Sequence, residues 1–227
     1  MQNNNEKPQK QLMQFHKLFE SIVSSRLYVS LILFLVSFTI FAPSLNNDFV
    51  WDDIVYIKEN IERLKDYSPG LSKLIPRKKE NKATGYVGIW RPVLISSWAL
   101  DSKLWGLSSF GFHLSNIVLH CVSTVLMFLF CSMILSRFNI AHGIKISGLA
   151  GLVFAVHPVH VETVSFISAR SDLLCAVFIL LAMIFLVLSY NKLYLLLASF
   201  PFFYLALLSK ETAIVVPLLA LCLVLLI

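Results

Sequence analysis

Charge is what this sequence has least of. Only 14 % of its 227 residues are Asp, Glu, Lys or Arg, against about a quarter in a soluble domain of ordinary composition, and its mean hydropathy is +0.76. A water-soluble globular domain is thereby excluded. The charges that exist are segregated: they crowd into the first 26 residues and the stretch 46–103 and nearly vanish afterwards. A bilayer imposes that pattern, because a charge at its centre costs about 2.5–3.5 kcal/mol on insertion scales.

Other scarcities exclude other classes. The four cysteines, Cys121, Cys131, Cys175 and Cys222, all lie in apolar segments. They show neither a disulfide framework nor a zinc spacing and read as small core residues. Repeats and low-complexity tracts are absent. The net charge of +6 does not mark a nucleic-acid binder, since no basic stripe alternates with aromatics. The basic residues flank apolar spans and read as anchors to anionic lipid headgroups. The chain stays polar for 26 residues before its first apolar run, which argues against a cleaved signal peptide. No spans are Gly/Pro-interrupted in paired positions, as a transporter's would be.

What is present is a series of apolar runs. The periodicity predicts an all-α integral membrane protein, a polytopic helical bundle of six spans: about Leu27–Leu45, His113–Leu135, Ile146–His157, Leu173–Tyr190, Leu193–Leu208 and Ala213–Ile227. The last two are short against the usual ~20 residues. Residues 1–26 form a polar tail with an amphipathic patch at Phe15, Leu18, Phe19 and Ile22, suited to a membrane surface. Residues 46–112 form a large polar loop, and 27–227 make up the transmembrane region. Lys7, Lys10, Lys17 and Arg26, with Arg137, Lys145 and Lys192 on the same side, favour a cytoplasmic N-terminus. The ten Lys/Arg of the long loop weigh little, because loops beyond about 60 residues translocate regardless of charge. Leu218–Ile227 ends without interfacial Trp, Tyr, Lys or Arg, so the chain is expected to stop inside its sixth span and to be inactive alone.

Four sets of polar residues stand at the edges of these spans, where polar groups are functional candidates by default. Asp52 and Asp53 follow span one. Such a pair can take a proton from a hydroxyl or hold a divalent cation, the one cofactor the pattern admits, or it can simply start a helix. His113, Asn116, His120, Ser123 and Thr124 fall within about a 100° arc of span two at the helical period. That arc must face protein or water, either for interhelical hydrogen bonds or, for His113 and Asn116 near the loop, for a site. His157, His160 and Glu162, then Arg170 and Asp172, follow span three. They do not form HExxH, and Pro158 interrupts any uniform helix there. Arg170 suits a phosphate or carboxylate ligand, or a structural pair with Asp172 or Glu162. Lys210 and Glu211 stand alone between two apolar spans. Alternation of six spans brings the acidic and basic candidates to one membrane face, as for an anionic headgroup whose lipid tail stays in the bilayer.

Phe49-Val50-Trp51-Asp52-Asp53, Trp90-Arg91-Pro92, Phe112-His113-Leu114-Ser115-Asn116 with His120, His157-Pro158-Val159-His160-Val161-Glu162 with Ala169-Arg170-Ser171-Asp172-Leu173-Leu174, and Ser209-Lys210-Glu211 occur in this order. Together they resemble the membrane half of the transmembrane and tetratricopeptide-repeat O-mannosyltransferases, and more distantly the GT-C glycosyltransferase superfamily. The family commonly has Gly where this chain has Ala169. The resemblance implies a GT-C-type bundle with a cytoplasmic N-terminus, in a bacterial inner membrane or the endoplasmic reticulum, with 46–112 external. It implies transfer of a sugar, mannose by analogy, from a polyprenyl-phosphate donor to a hydroxyl acceptor such as a protein Ser or Thr. In that reading Asp52 and Asp53 are catalytic, with Asp52 the base. Arg170 and Lys210 bind donor phosphate. Arg91, His113, Asn116, His157, His160, Glu162, Asp172 and Glu211 shape the cavity, without a metal. The alternative is a non-catalytic polyprenyl-phosphate-binding or scaffold protein.

Overall fold

The computed structural model describes residues 25–67, 90–190 and 192–226. The amphipathic patch at Phe15–Ile22 and the stretch 68–89 of the polar loop lie outside them. Among the described residues every regular element is helical. The six expected apolar segments each form a helix, but only three have the length and composition to cross a membrane: α1 (Ser25–Asn46, its last turn a 3₁₀ helix), α5 (Ser109–Arg137) and α8 (Arg170–Ser189, led in by a 3₁₀ turn at Ile167–Ala169). The others are shorter: α6 (Gly143–Val156), α9 (Tyr194–Ser209) and α10 (Val216–Leu226, preceded by a 3₁₀ turn at Glu211–Val215). At about 1.5 Å per residue, the 14 residues of α6 fall well short of a ~30 Å hydrocarbon core.

Helix α5 is the hub. Its 29 residues carry the polar arc, and all five members are buried. The arc is spent on neighbours: Thr124 meets Ser37 of α1 at 3.4 Å, His120 reaches the Ala155 carbonyl of α6 at 3.2 Å, and Asn116 donates to the carbonyls of Val164 and Phe166. Gly151 of α6 allows a close crossing, because a Cβ there would stand 2.8 Å from Leu33 and 3.1 Å from Phe128. Cys121 and Cys175 are buried as read, whereas Cys222 lies on the exposed face of α10. It is a surface residue among the exposed leucines of that helix.

Successive helices reverse direction, and their ends sort accordingly. At one end Arg26 donates to Ser136 at 2.9 Å and the Arg137 guanidinium lies 3.3 Å over the Tyr190 ring. At the other end stand the polar loop, the α6–α8 connection and the α9–α10 corner. The loop is structured there, with α2 (Asp52–Tyr56), α3 (Ile61–Lys65) and α4 (Pro92–Trp105). Pro92 occupies the first position of α4, where its fixed φ and missing N–H suit a helix start. Gly106, at φ 62°, ends it. Gly111 then lets α5 pass under Trp105, whose ring atoms would sit 2.1 Å from a Cβ there. Ile57, Ile61, Leu64, Leu94 and Trp98 form an apolar core with Phe112 of α5 and Ile167. This core seats the loop helices on the bundle end and fixes what they carry. Pro158 separates α6, which stops at Val156, from the short α7 (His160–Ser165).

Candidate functional site

Five of the residues singled out in the sequence line one cavity of about 180 Å³ at this end: Asp52, Arg91, Glu162, Asp172 and Lys210. Five separate elements supply them, with Tyr56, Trp98 and Phe166 as aromatic walls and Ser168 and Ser171 as hydroxyls. The cavity thus combines carboxylates, two cations and aromatic surface.

Asp52 and Asp53 are neighbours in sequence and opposites in space. Successive residues on a helix point about 100° apart, so in α2 only one of them can face inward. Asp53 is fully buried: its Oδ1 accepts the Ser168 backbone N–H at 2.8 Å and the Ser168 hydroxyl at 2.5 Å, and its Oδ2 accepts the Val50 N–H at 3.4 Å. Asp52 is exposed and lines the cavity. Trp51, just before it, holds φ 46° with its side chain 85 % exposed. That backbone region is disfavoured for an L residue, and such strain persists only where the surroundings impose it. Asp53 closes around Trp51, accepting from Val50 on one side and from Ser168 on the other.

Arg170 is 1 % exposed and does not line the cavity, although its chain neighbours Ala169 and Ser171 do. Its Nε donates to Asn116 Oδ1 at 2.6 Å and its Nη2 to the Phe112 carbonyl at 2.8 Å. Nη1 pairs with Asp101 at 2.6 Å and lies 3.4 Å from Ser97 Oγ. Neither partner offered by the sequence, Asp172 or Glu162, is the one found. Asp101 was not among the residues singled out. Burial raises its carboxyl above the usual range, opposed by the Arg170 charge and the Ser115 hydroxyl. One signal could have found it: Ser97 and Asp101 stand four apart on α4, on one helix face, in a loop where a carboxylate amid apolar neighbours is unusual.

The cavity's own cations are held more lightly. Lys210 Nζ pairs with Asp172 at 2.5 Å, with side chains 22 % and 44 % exposed. Arg91 forks onto Glu211 at 3.1 and 2.6 Å and donates to Ser171 Oγ at 3.3 Å. Glu211 itself stays outside the cavity lining.

The histidines gather elsewhere. His160 packs at a tilt against Phe154, at 4.4 Å between ring centroids, and against His120, at 4.9 Å, with His157 at 6.2 Å. Burial, then the His157 charge, lowers the pKa of His160. His113 and Asn116 are fully buried, Asn116 as the link between Arg170 and the α7 carbonyls. Among the described residues no three His, Cys, Asp or Glu side chains converge as a metal site would need. Asp52 and Asp53 in particular diverge.

No family model and no solved structure matches the chain. Curated sequences do. The protein O-mannosyl-transferase Tmtc1 of Drosophila melanogaster is 38 % identical over 138 residues, 58 % of this chain and 15 % of the relative. Human TMTC1, also named a protein O-mannosyl-transferase, is 32 % identical over 167 residues, 67 % of this chain and 16 % of the relative. Human TMTC4, of the same name, is 30 % identical over 182 residues, 73 % and 24 % respectively. The chain thus spans less than a quarter of the length of these relatives. Over that partial region it is a membrane protein similar to the TMTC O-mannosyltransferases.

Proposed function

We propose that this bundle end is the donor-side site of a glycosyltransferase that moves a sugar, mannose by analogy with the relatives' names, from a polyprenyl phosphate to a protein Ser or Thr hydroxyl. The carrying observation is the cavity in which an exposed carboxylate, Asp52, shares one space with two lightly held cations, Arg91 and Lys210. Asp52 takes the proton of the acceptor hydroxyl as its oxygen bonds to the sugar's C1. The bond from C1 to the phosphate oxygen breaks, and the polyprenyl phosphate leaves with the electron pair. Arg91 and Lys210 stabilise the charge that collects on that phosphate. Asp53 fixes Asp52 in place through Ser168, and Arg170 with Asn116 and Asp101 ties α8 to α5 and α4. Tyr56, Trp98 and Phe166 offer the flat apolar faces a sugar ring stacks on. A GT-C-type arrangement, a cytoplasmic N-terminus and a site facing the lumen of the endoplasmic reticulum complete the reading. The basic residues at the opposite end, Arg26, Arg137 and Lys192, support that orientation.

The test is transfer of labelled mannose from polyprenyl-phosphate mannose to Ser/Thr peptides in membranes carrying the full-length enzyme. Asp52→Asn lowers the rate by about 10²–10⁴-fold while donor binding persists. Arg91→Ala and Lys210→Ala weaken donor binding as well. Normal turnover by Asp52→Asn would remove the catalytic assignment and leave a polyprenyl-phosphate-binding protein. Orientation is read separately with an impermeant thiol reagent in a background without the native cysteines. His142→Cys stays unlabelled from the lumenal side, and labelling there would reverse the topology.

A further inference from the structure

The two arginines at this end are held in opposite ways. Arg170 is sunk in protein, and its donors are spent on groups that cannot leave: a buried carboxylate, a buried amide and a backbone carbonyl. Arg91 lines the cavity, and its fork is closed by a carboxylate that stands in water. Its side chain is 19 % exposed and that of Glu211 72 %. Two parallel N–H···O bonds from a guanidinium to a carboxylate reproduce the geometry with which it binds phosphate. The carboxylate half of the pair stands in water, so Glu211 is rehydrated as it leaves and an incoming anion can replace it on the fork. The remaining nitrogen, Nη1, is steadied by Ser171, which also lines the cavity. The guanidinium is therefore already oriented when its partner departs.

Lys210, the residue before Glu211, repeats the arrangement. Its ammonium is paired with Asp172, and both line the cavity. A neutral ligand offers these cations nothing in exchange for the carboxylates they hold. A phosphate monoester such as polyprenyl phosphate offers more charge and more acceptor oxygens than either, and the donor's phosphodiester matches a carboxylate in charge and free oxygens.

We infer that Glu211 is an intramolecular stand-in for the donor's phosphate: it occupies the Arg91 fork until a phosphate ester enters the cavity and takes its place. Glu211 thereby tempers the site's affinity for anionic ligands and leaves neutral ligands, which cannot displace it, untouched. The inference rests on the phosphate-donor reading above and adds to it the group that the phosphate must displace. It also couples the site to the backbone. Glu211 opens the 3₁₀ turn Glu211–Val215 between α9 and α10, and Lys210 before it is extended at φ −156°, ψ 139°. Releasing the carboxylate removes one of the ties between the start of α4 and that corner.

The test is binding by calorimetry to the chain in nanodiscs, with three probes: polyprenyl phosphate, inorganic phosphate and neutral polyprenol. Glu211→Gln keeps the size of the side chain and removes its charge. It binds polyprenyl phosphate about two- to fivefold tighter than wild type, the range an exposed ion pair allows, and leaves polyprenol binding unchanged. Glu211→Ala shifts binding in the same direction, which covers a glutamine variant that folds poorly. Arg91→Ala weakens phosphate binding and erases the effect of Glu211→Gln. The same gain with inorganic phosphate assigns it to the phosphate group alone; a gain confined to polyprenyl phosphate assigns it to a lipid headgroup. Wild type that binds polyprenyl phosphate, with glutamine and alanine variants that bind it no tighter, overturns the exchange and leaves the donor reading standing. Wild type that binds neither phosphate probe removes the donor reading itself.

Discussion

The Arg170 guanidinium and the Asp101 carboxylate stand 2.6 Å apart with side chains 1 % and 5 % exposed, joining α8 to the polar loop across 69 residues of sequence. A buried pair is held by its geometry and not by its Coulomb energy alone. Removing one member leaves a charge in protein with no counter-charge, at a cost of about 3–5 kcal/mol. Asp101→Ala and Arg170→Ala should each show a loss of that order in thermal or denaturant unfolding in detergent. The double replacement Asp101→Leu/Arg170→Met should recover most of it, because an apolar pair of similar volume is often neutral there. Single variants as stable as wild type would show that the pair is not the lock described.

Ser168 is the tether of the acidic loop. Its hydroxyl is one of two donors on Asp53 Oδ1, so Ser168→Ala removes about 0.5–1.5 kcal/mol of hydrogen bonding and keeps the backbone N–H. Asp52 is still present but less firmly placed. The expected kinetic signature is a lower kcat with little change in KM for donor, and Ser168→Thr restores it. A change in KM alone would move Ser168 from positioning to donor contact.

His160 makes stability sensitive to mild acid. Its pKa is lowered from 6.5 by burial first and by the His157 charge second. The folded chain therefore binds this proton less readily than the unfolded chain does. Stability is fully present above pH 6.5 and declines as pH drops through the interval between 6.5 and the lower folded value. His160→Phe keeps a ring packed against Phe154 and removes the titration. The melting temperature of the variant should lose less than wild type's between pH 7 and 5; parallel curves would exclude His160 as the titrating group.

The helical period made the polar arc on α5 legible, because the arc is a property of one helix, and its five members are buried as a set. Alternation of apolar runs likewise placed Asp52, Asp172 and Lys210 at one end. Two things stayed out of reach. Adjacent carboxylates look alike in a sequence, and only the orientation of α2 against Ser168 tells which is the anchor and which faces the cavity. A lone arginine carries no label for its partner. Arg170 read as a ligand-binding cation because Asp101 stands 69 positions away in a loop, and its place among apolar neighbours marks it as unusual without naming its partner. Arg91, expected only to shape the cavity, has the accessible guanidinium instead.

Every group that receives the Arg170 side chain precedes it in the chain: Ser97, Asp101, the Phe112 carbonyl and Asn116. A ribosome builds the receptor before it builds the cation. When α8 leaves the translocation machinery, the charge at its first residue meets a prepared polar seat at the end of the bundle. Placing that seat after α8 in gene order would leave the helix waiting in the bilayer with an unmatched charge.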